Sequence, residues 1–267
     1  MIKLIASDLD GSLLNDKKEL PCDFEQVLTE LQNRGITFIV ASGRNWAATQ
    51  PIFAKWENEL MFICNNGANI YDRGMLTVSH SLTADQVKRA LDLVRTIPGC
   101  APIVFTLEDT ITAPGCDSFM EWAANPYNEL TWVDSYDDLY KVEGDIFKIS
   151  IFDGSGNITG HSYPPVRDEF SAEAAVYVSG DIWVDIVNSN ASKGIALKNA
   201  QQMLGISREE TMAFGDYHND ESLLDAAGFP FVMDGGVDLL KEKFPMRAGD
   251  NNKGGVTATI KDFVLRK

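Results

Sequence analysis

The chain has 267 residues, of which 45% are hydrophobic and 23% charged. That is enough to bury a core without disulfides, and it excludes disorder, collagen and coiled coil as readings of the whole. The formal net charge of −16 opposes a general attraction to nucleic acid or an anionic membrane surface and fits solubility, while leaving room for a small anionic substrate neutralised by a local cation or metal. Cys22, Cys64, Cys100 and Cys116 form no C-x-x-C pair and have no His at ligand spacing. This argues against a zinc site or a disulfide framework and for free thiols in a reducing compartment.

Residues 2–7 form an apolar run that predicts a buried strand. Asp8 and Asp10 interrupt it too early for a signal peptide, and no later stretch approaches the ~20 apolar residues of a membrane span. A cytoplasmic protein is expected. Phe24, Val27, Leu28 and Leu31 recur at helical spacing before Gly35, predicting a helix over 22–34. A second buried strand covers 36–41, a helix divided or kinked at Pro51 covers 45–57, and a third strand covers 61–64. This alternation predicts a parallel sheet wrapped by helices, in which ligands bind beyond the carboxyl ends of the strands. Asp8-Leu9-Asp10-Gly11, Ser42-Gly43-Arg44 and Asn65-Asn66-Gly67 each fall at such an end.

The middle of the chain reads as α+β and predicts a second domain inserted into the first. The pair Thr83 and Gln86 predicts a capping box opening a helix to about Ile97. Strands follow at 103–107, 146–152, 175–179 and 182–187, separated by pieces rich in turn residues such as Asp153-Gly154-Ser155-Gly156-Asn157 and Tyr163-Pro164-Pro165. The strand–helix alternation then resumes. A helix runs from about Ser192 to Leu204 with Gly205 as its C-terminal cap. Ser207 and Glu210 predict only a turn, a strand covers 211–214, and helix, strand and helix complete the chain.

Two carboxylates two residues apart, Asp8 and Asp10, read as lying on one side of a strand end, where a hard cation such as Mg²⁺ would relieve their repulsion. A solvated acidic loop would explain Asp-x-Asp-Gly equally well by itself. Asp216 and Asp220 form a second acidic strand end; a helix start favoured by the macrodipole explains Asp220 but not its pairing with Asp216. Ser42 and Gly43 open a helix where backbone N–H groups and a hydroxyl can hold a phosphate. Lys193 at a helix N-terminus opposes the macrodipole, a mild cost that an anion or acidic neighbour would offset.

In this order and spacing, Asp8-Leu9-Asp10-Gly11-Ser12-Leu13-Leu14, Ser42-Gly43-Arg44, Lys193-Gly194 and Gly215-Asp216-x-x-Asn219-Asp220 resemble the four motifs of the haloacid dehalogenase (HAD) superfamily, in its Cof-type (IIB) branch. The resemblance runs from Asp8 to about Ile260. It implies an α/β fold: a Rossmann-like parallel-sheet core of residues 1–81 and 188–267, with an inserted α+β cap of the C2 type at 82–187 that closes over the site and selects the leaving group. By the same resemblance the chain is a Mg²⁺-dependent phosphatase of small phosphorylated metabolites, sugar phosphates in particular. Asp8 would be the nucleophile that forms an aspartyl-phosphate, and Asp10 the general acid and then base. The metal ligands would be the Asp8 carboxylate, the Asp10 backbone carbonyl and Asp216, with Asp220 in support. Ser42, Gly43, Lys193 and Asn219 would hold the phosphoryl oxygens, and Lys193 completes the catalytic set.

The match departs from the family pattern at several places. Ser12 and Ser42 stand where Thr is commoner, keeping the hydroxyl. Met233-Asp234-Gly235-Gly236 and Lys253-Gly254-Gly255-Val256 differ from the usual late loops and put substrate details in question. Arg44 reads as ordering its loop, His218 as a polar loop residue, and Trp122 or Trp132 as the better candidates for stacking on a sugar. A phosphomutase would share the nucleophile, and a metal- and phosphate-binding regulator without turnover would share the ligands. The sequence assigns no oligomeric state.

Overall fold

The opening apolar run becomes strand β1 only over Leu4–Ser7, in a computed structural model that describes residues 1–125 and 130–266. All four β1 side chains are buried, as a central strand of a parallel sheet requires. Helix α1 (Phe24–Asn33) follows, then β2 (Thr37–Ala41). The helix expected over 45–57 is instead a single turn, α2 (Trp46–Thr49), followed by a 3₁₀ stretch, Gln50–Trp56, in which Phe53 leaves helical geometry. Pro51 lies at the division, where it can supply no N–H to the preceding turn. Strand β3 (Met61–Cys64) is followed by a hairpin that the sequence reading did not assign, β4 (Asn69–Asp72) and β5 (Met75–Ser79). Arg73 and Gly74 between them both take positive φ, 51° and 74°, the conformation a two-residue type I′ turn needs.

The inserted segment opens with α3 (Ala84–Thr96), whose Thr83–Gln86 capping box is present. It continues through β6 (Cys100–Phe105), β7 (Thr110–Thr112), α4 (Asp117–Ala123), β8 (Thr131–Trp132) and β9 (Lys148–Asp153). Helix α5 (Tyr163–Phe170) corrects the expectation of a turn at Tyr163-Pro164-Pro165. The prolines fall in the first turn, whose N–H groups have no intrahelical partner to lose. Strands β10 (Ala174–Gly180) and β11 (Trp183–Asn188) complete the segment. Beyond it come α6 (Lys193–Leu204), capped by Gly205 at φ 65°, and β12 (Thr211–Gly215). Ser207 and Glu210 form a single 3₁₀ turn between them. The chain continues through α7 (Glu221–Asp225), β13 (Phe229–Val232), α8 (Asp238–Lys243) and α9 (Gly255–Ile260), with a two-residue edge strand, β14 (Met246–Arg247), added to the expected order.

Two compact units result: Met1–Gly43, Phe53–Val78 and Ser192–Lys267 form one, and Arg44–Ile52 and Ser79–Ala191 the other. The first is built on an eight-stranded sheet of order β14-β13-β12-β1-β2-β3-β4-β5. Pairing is parallel from β14 through β3 and antiparallel between β3 and β4. Its register aligns Ser7 with Phe214 and with Val40, so β1, β2 and β12 end on one line. Leu4, Ala6, Ile39 and Ile63 pack with Ala196 and Leu197 of α6 and Leu223 of α7. The Phe24 ring of α1 meets Phe38 and Phe53 edge-on, with centroids 5.6 and 5.9 Å apart. Helices thus cover the sheet from both sides, and the strand ends are left to the loops that carry the candidate residues.

The second unit has a six-stranded sheet of order β10-β11-β9-β6-β7-β8. It is antiparallel except between β7 and β8. Val87, Leu91 and Val94 of α3 and Val166 and Phe170 of α5 share one core with Ile149, Ile151 and Ile186. Trp122 stacks on Phe119 at 5.8 Å and meets Trp183 at 4.8 Å, so it is tied into aromatic packing, whereas Trp132 is 42% exposed. The buried Asp153 carboxylate fixes the loop beyond β9 by accepting from Ser155 N at 2.8 Å, His161 Nδ1 at 3.0 Å and Ser162 Oγ at 2.5 Å. Burial alone would raise its pKa, but the hydrogen bonds from Ser155 and Ser162 win and bring it down to about 2. Among the described residues no helix is long and apolar enough to cross a membrane.

Candidate active site

Asp8 continues β1 past its last strand residue and is held there by its N–H, which donates to Phe214 O at 3.0 Å. Its side chain is almost fully buried. Lys193 Nζ donates to Asp8 Oδ1 at 2.5 Å and to Asp220 Oδ1 at 2.6 Å. Lys193 is the first residue of α6, positioned by Ser192, whose Oγ accepts from Ile195 N at 2.9 Å. It is only 1% exposed. Burial would strip its proton, but the charges of Asp220 and Asp8 hold it as ammonium, with its pKa above the ordinary lysine range.

Asp216 and Asp220 follow β12 on the loop into α7. Asp220 Oδ2 accepts from the backbone N–H groups of Asp216 and Tyr217, at 3.0 and 3.1 Å. Asp220 thus ties its own loop to Lys193. Asp216 Oδ1 accepts from Ser12 Oγ at 2.9 Å. Gly11, at φ 80°, lets the first loop lie against this carboxylate: a Cβ there would come within 2.3 Å of Asp216 Oδ2. One carboxylate oxygen from each of Asp8, Asp216 and Asp220 lies within 4.8 Å of the others.

Burial, then the charge of Asp220, pushes the Asp216 carboxyl up to about 7. Burial and Asp220 likewise raise Asp8 against the opposing pull of Lys193. Two buried carboxylates and one half-buried carboxylate around one ammonium are over-supplied with negative charge. The donors are all oxygen, and two of them resist ionisation. That combination fits a hard divalent cation, which takes carboxylate oxygens and would offset the excess. A second ligand-type cluster, Cys100, Asp153 and His161, lies in the other unit, but its carboxylate is already engaged with the Ser155–Ser162 loop.

The raised carboxyls have a consequence for stability. A folded-state pKa above the unfolded value means that the folded protein binds the proton more tightly, so ionisation of the cluster works against the fold above about pH 7, and the strain is relieved as pH falls toward the unfolded value. Asp216→Asn is therefore expected to raise the melting temperature of chelator-treated protein by several degrees at pH 8, by less near pH 5, and not at all once the pH is below the ordinary carboxylate range. Calorimetry at the two pH values checks this.

Asp10 is placed differently from expectation. β1 stops at Ser7 and the chain turns, with Leu13 N donating to Asp8 O and Leu14 N to Leu9 O, so strand alternation does not extend across residues 8–10. The Asp10 carboxylate accepts from Lys18 Nζ at 2.6 Å. It is outside the three-carboxylate cluster, although its charge still contributes to the rise at Asp216.

Ser42, Gly43 and Asn219 converge on a residue given no role from sequence, Asn66. Ser42 N donates to Ile63 O at 2.7 Å, and Ser42 O accepts from Asn66 N at 3.1 Å. Asn219 Nδ2 donates to Asn66 Oδ1 at 3.0 Å. Asn65 and Asn66 both have positive φ, 50° and 55°. The dipeptide Asn-Asn before Gly was the available signal, since Asn and Gly enter left-handed geometry most readily. Beside it, Asn65 Nδ2 donates to Asn69 Oδ1 at 2.8 Å, while buried Asn65 Oδ1 and Asn69 Nδ2 have no hydrogen-bond partner among the described residues.

Residues 5–260 match the family described as haloacid dehalogenase-like hydrolase. The chain is 30% identical over 276 residues to the 5-amino-6-(5-phospho-D-ribitylamino)uracil phosphatase YbjI of Escherichia coli K12, covering 99% of this chain and 97% of that protein. Its fold is similar to that of SMU.1108c from Streptococcus mutans UA159, with a TM-score of 0.91 at 22% identity over 99% of this chain and 100% of that one. It is also similar to that of the HAD subclass IIB sugar phosphatase BT4131, with a TM-score of 0.83 at 17% identity over 98% of each chain. A match spanning nearly the whole chain, with the phosphatases among its relatives, places it: this chain belongs to the haloacid dehalogenase-like hydrolases and is a phosphatase of that family.

Proposed function

We propose that the chain hydrolyses small phosphorylated metabolites through an aspartyl-phosphate on Asp8, with Mg²⁺ as its metal. The observation that carries this reading is the set of buried Asp8, Lys193 and Asp220 with half-buried Asp216, in which a lysine ammonium touches the carboxylate at the end of the central strand. A carboxylate attacking a phosphate dianion needs negative charge cancelled on both reactants, and a water-poor site makes each fixed cation count for more. Mg²⁺, held by Asp8, Asp216 and the Asp10 backbone carbonyl with Asp220 in support, would supply further positive charge at the phosphoryl oxygens.

In the first step an Asp8 carboxylate oxygen attacks phosphorus, the bond from phosphorus to the ester oxygen breaks, and Asp10 gives its proton to the leaving oxygen. In the second step water attacks the same phosphorus, Asp10 takes the proton from that water, and the bond between Asp8 and phosphorus breaks to release inorganic phosphate. Asp10 must leave Lys18 to do this, and its half-exposed side chain permits the exchange. Lys193 stays charged throughout. Ser42, Gly43 and Asn219 orient the phosphoryl oxygens. Substrates are monoesters of sugars or sugar-like polyols, since the named relatives act on a phosphoribityl compound and on sugar phosphates. A net charge of −16 disfavours nucleic acid as a partner.

Phosphate release tests the reading. A panel of pentose and hexose phosphates, nucleotides and 5-amino-6-(5-phospho-D-ribitylamino)uracil is assayed with Mg²⁺ and with chelator. Release from at least one sugar or polyol phosphate, abolished by chelator and restored by Mg²⁺, is expected. An isomeric phosphate formed without free phosphate would instead identify a mutase, and release unaffected by chelator would remove the metal from the proposal.

A further inference from the structure

Asn66 lies at the end of β3, outside the four motifs that carry the resemblance, yet its turn meets three of the segments those motifs occupy. Its backbone N–H donates to Ser42 O at 3.1 Å. Its Oδ1 is 3.0 Å from where a Cβ on Gly43 would sit, so the amide is packed directly against that residue. The same oxygen accepts from Asn219 Nδ2 at 3.0 Å. The next residue, Gly67, lies so close to Ser192 that a Cβ there would come within 2.3 Å of Ser192 O, immediately before Lys193. Asn66 itself is 1% exposed and holds φ at 55°. That left-handed backbone is uncommon for a residue with a side chain, and it directs the amide to this junction.

A side-chain amide can face either way, presenting N–H or C=O to a ligand. Asn219 can grip a phosphoryl oxygen only with N–H. By taking one Asn219 N–H on its Oδ1, Asn66 selects the orientation in which the second N–H is available for a ligand oxygen. We infer that Asn66 is a positioning residue, which fixes the orientation of the Asn219 amide within the phosphate-holding surface. The inference rests on the phosphatase reading above and adds to it a residue that acts through Asn219 rather than on the substrate.

Asn66→Gly is the informative variant, because glycine accepts positive φ without cost and so keeps the turn while deleting the amide; an unchanged thermal melt checks that it does. The assay is kcat/KM for p-nitrophenyl phosphate with Mg²⁺, with inorganic phosphate affinity measured by calorimetry as a readout independent of turnover. Wild type, N66G, N219A and the double variant are compared. Losing an orienting partner of this kind typically costs about 10- to 100-fold, and that loss is expected in N66G for both kcat/KM and phosphate affinity. Because Asn66 acts through Asn219, the double variant should be no worse than N219A alone. Losses that multiply in the double variant, or an N66G protein with wild-type phosphate affinity, would overturn the inference. Neither result touches the phosphatase reading, which fails separately if wild type binds inorganic phosphate but turns over no monoester.

Discussion

Replacing Lys193 with Met is expected to abolish turnover and to destabilise the protein, two effects that a surface lysine would not show. Lys193 is the cation of a buried pair of ion pairs, at 2.5 Å from Asp8 and 2.6 Å from Asp220. Removing one partner of a buried pair leaves uncompensated charge in a poorly solvated place, at a cost of about 3–5 kcal/mol. For a chain of this size that corresponds to a fall of about 10 °C in melting temperature. The penalty should be largest in chelator at pH 8, where the carboxylates are most ionised. It should shrink toward pH 5, because Asp8 and Asp216 already hold protons above the ordinary carboxylate range. Mg²⁺ should recover part of the stability but little of the rate. Lys193→Arg keeps the charge, but a planar guanidinium does not fit a slot in which the lysine is 1% exposed, so a large rate loss is expected there too. Calorimetry and steady-state assays on the same preparations separate the two effects. A Met variant with wild-type stability and activity would show that the ion pairs in the site do no more than fill space.

Asp8→Asn is expected to lower kcat by about 10⁴-fold or more, the scale on which loss of a covalent nucleophile is felt. Asn is nearly isosteric and can still accept from Lys193, so the fold should survive; it also removes one of three crowded carboxylates, so the metal-free variant should melt no lower than wild type. This opposition, with rate lost and stability kept, distinguishes Asp8 from Lys193. Sites built to bind cations and phosphate carry repulsion that the rest of the fold must offset. A variant that loses stability and activity together would mean that Asp8 is structural.

The parallel core was readable because its strands are buried on both faces. Leu4–Ser7, Thr37–Ala41 and Met61–Cys64 appear as short apolar runs that stop at polar residues, and those stops are the strand ends where the site lies. The β4–β5 hairpin leaves little trace in the sequence because the side chains of Met75–Ser79 are mostly exposed and show no alternating pattern. Helix α5 was hidden by prolines that mark a turn in one context and a helix start in another. In the site, residue types and spacing named the acidic cluster, but three features depend on tertiary contact. The Lys193 ammonium is buried only because α6 brings it to Asp8, 185 residues away in sequence. Asp10 pairs with Lys18 because the chain turns after Ser7. Asn66 matters only once the end of β3 is set beside Gly43 and Asn219.

A covalent phosphoryl group on Asp8 is tested most directly by rapid-quench labelling. Wild-type protein with Mg²⁺ is mixed with a radiolabelled phosphate monoester that it hydrolyses, quenched in acid on the timescale of one turnover, digested, and the labelled peptide identified by mass spectrometry. The expected result is label on the peptide containing Asp8, removed by hydroxylamine as an acyl phosphate should be, rising before free phosphate and absent from Asp8→Asn. Free phosphate appearing with no protein-bound label at any time, or label carried by a different residue, would contradict it.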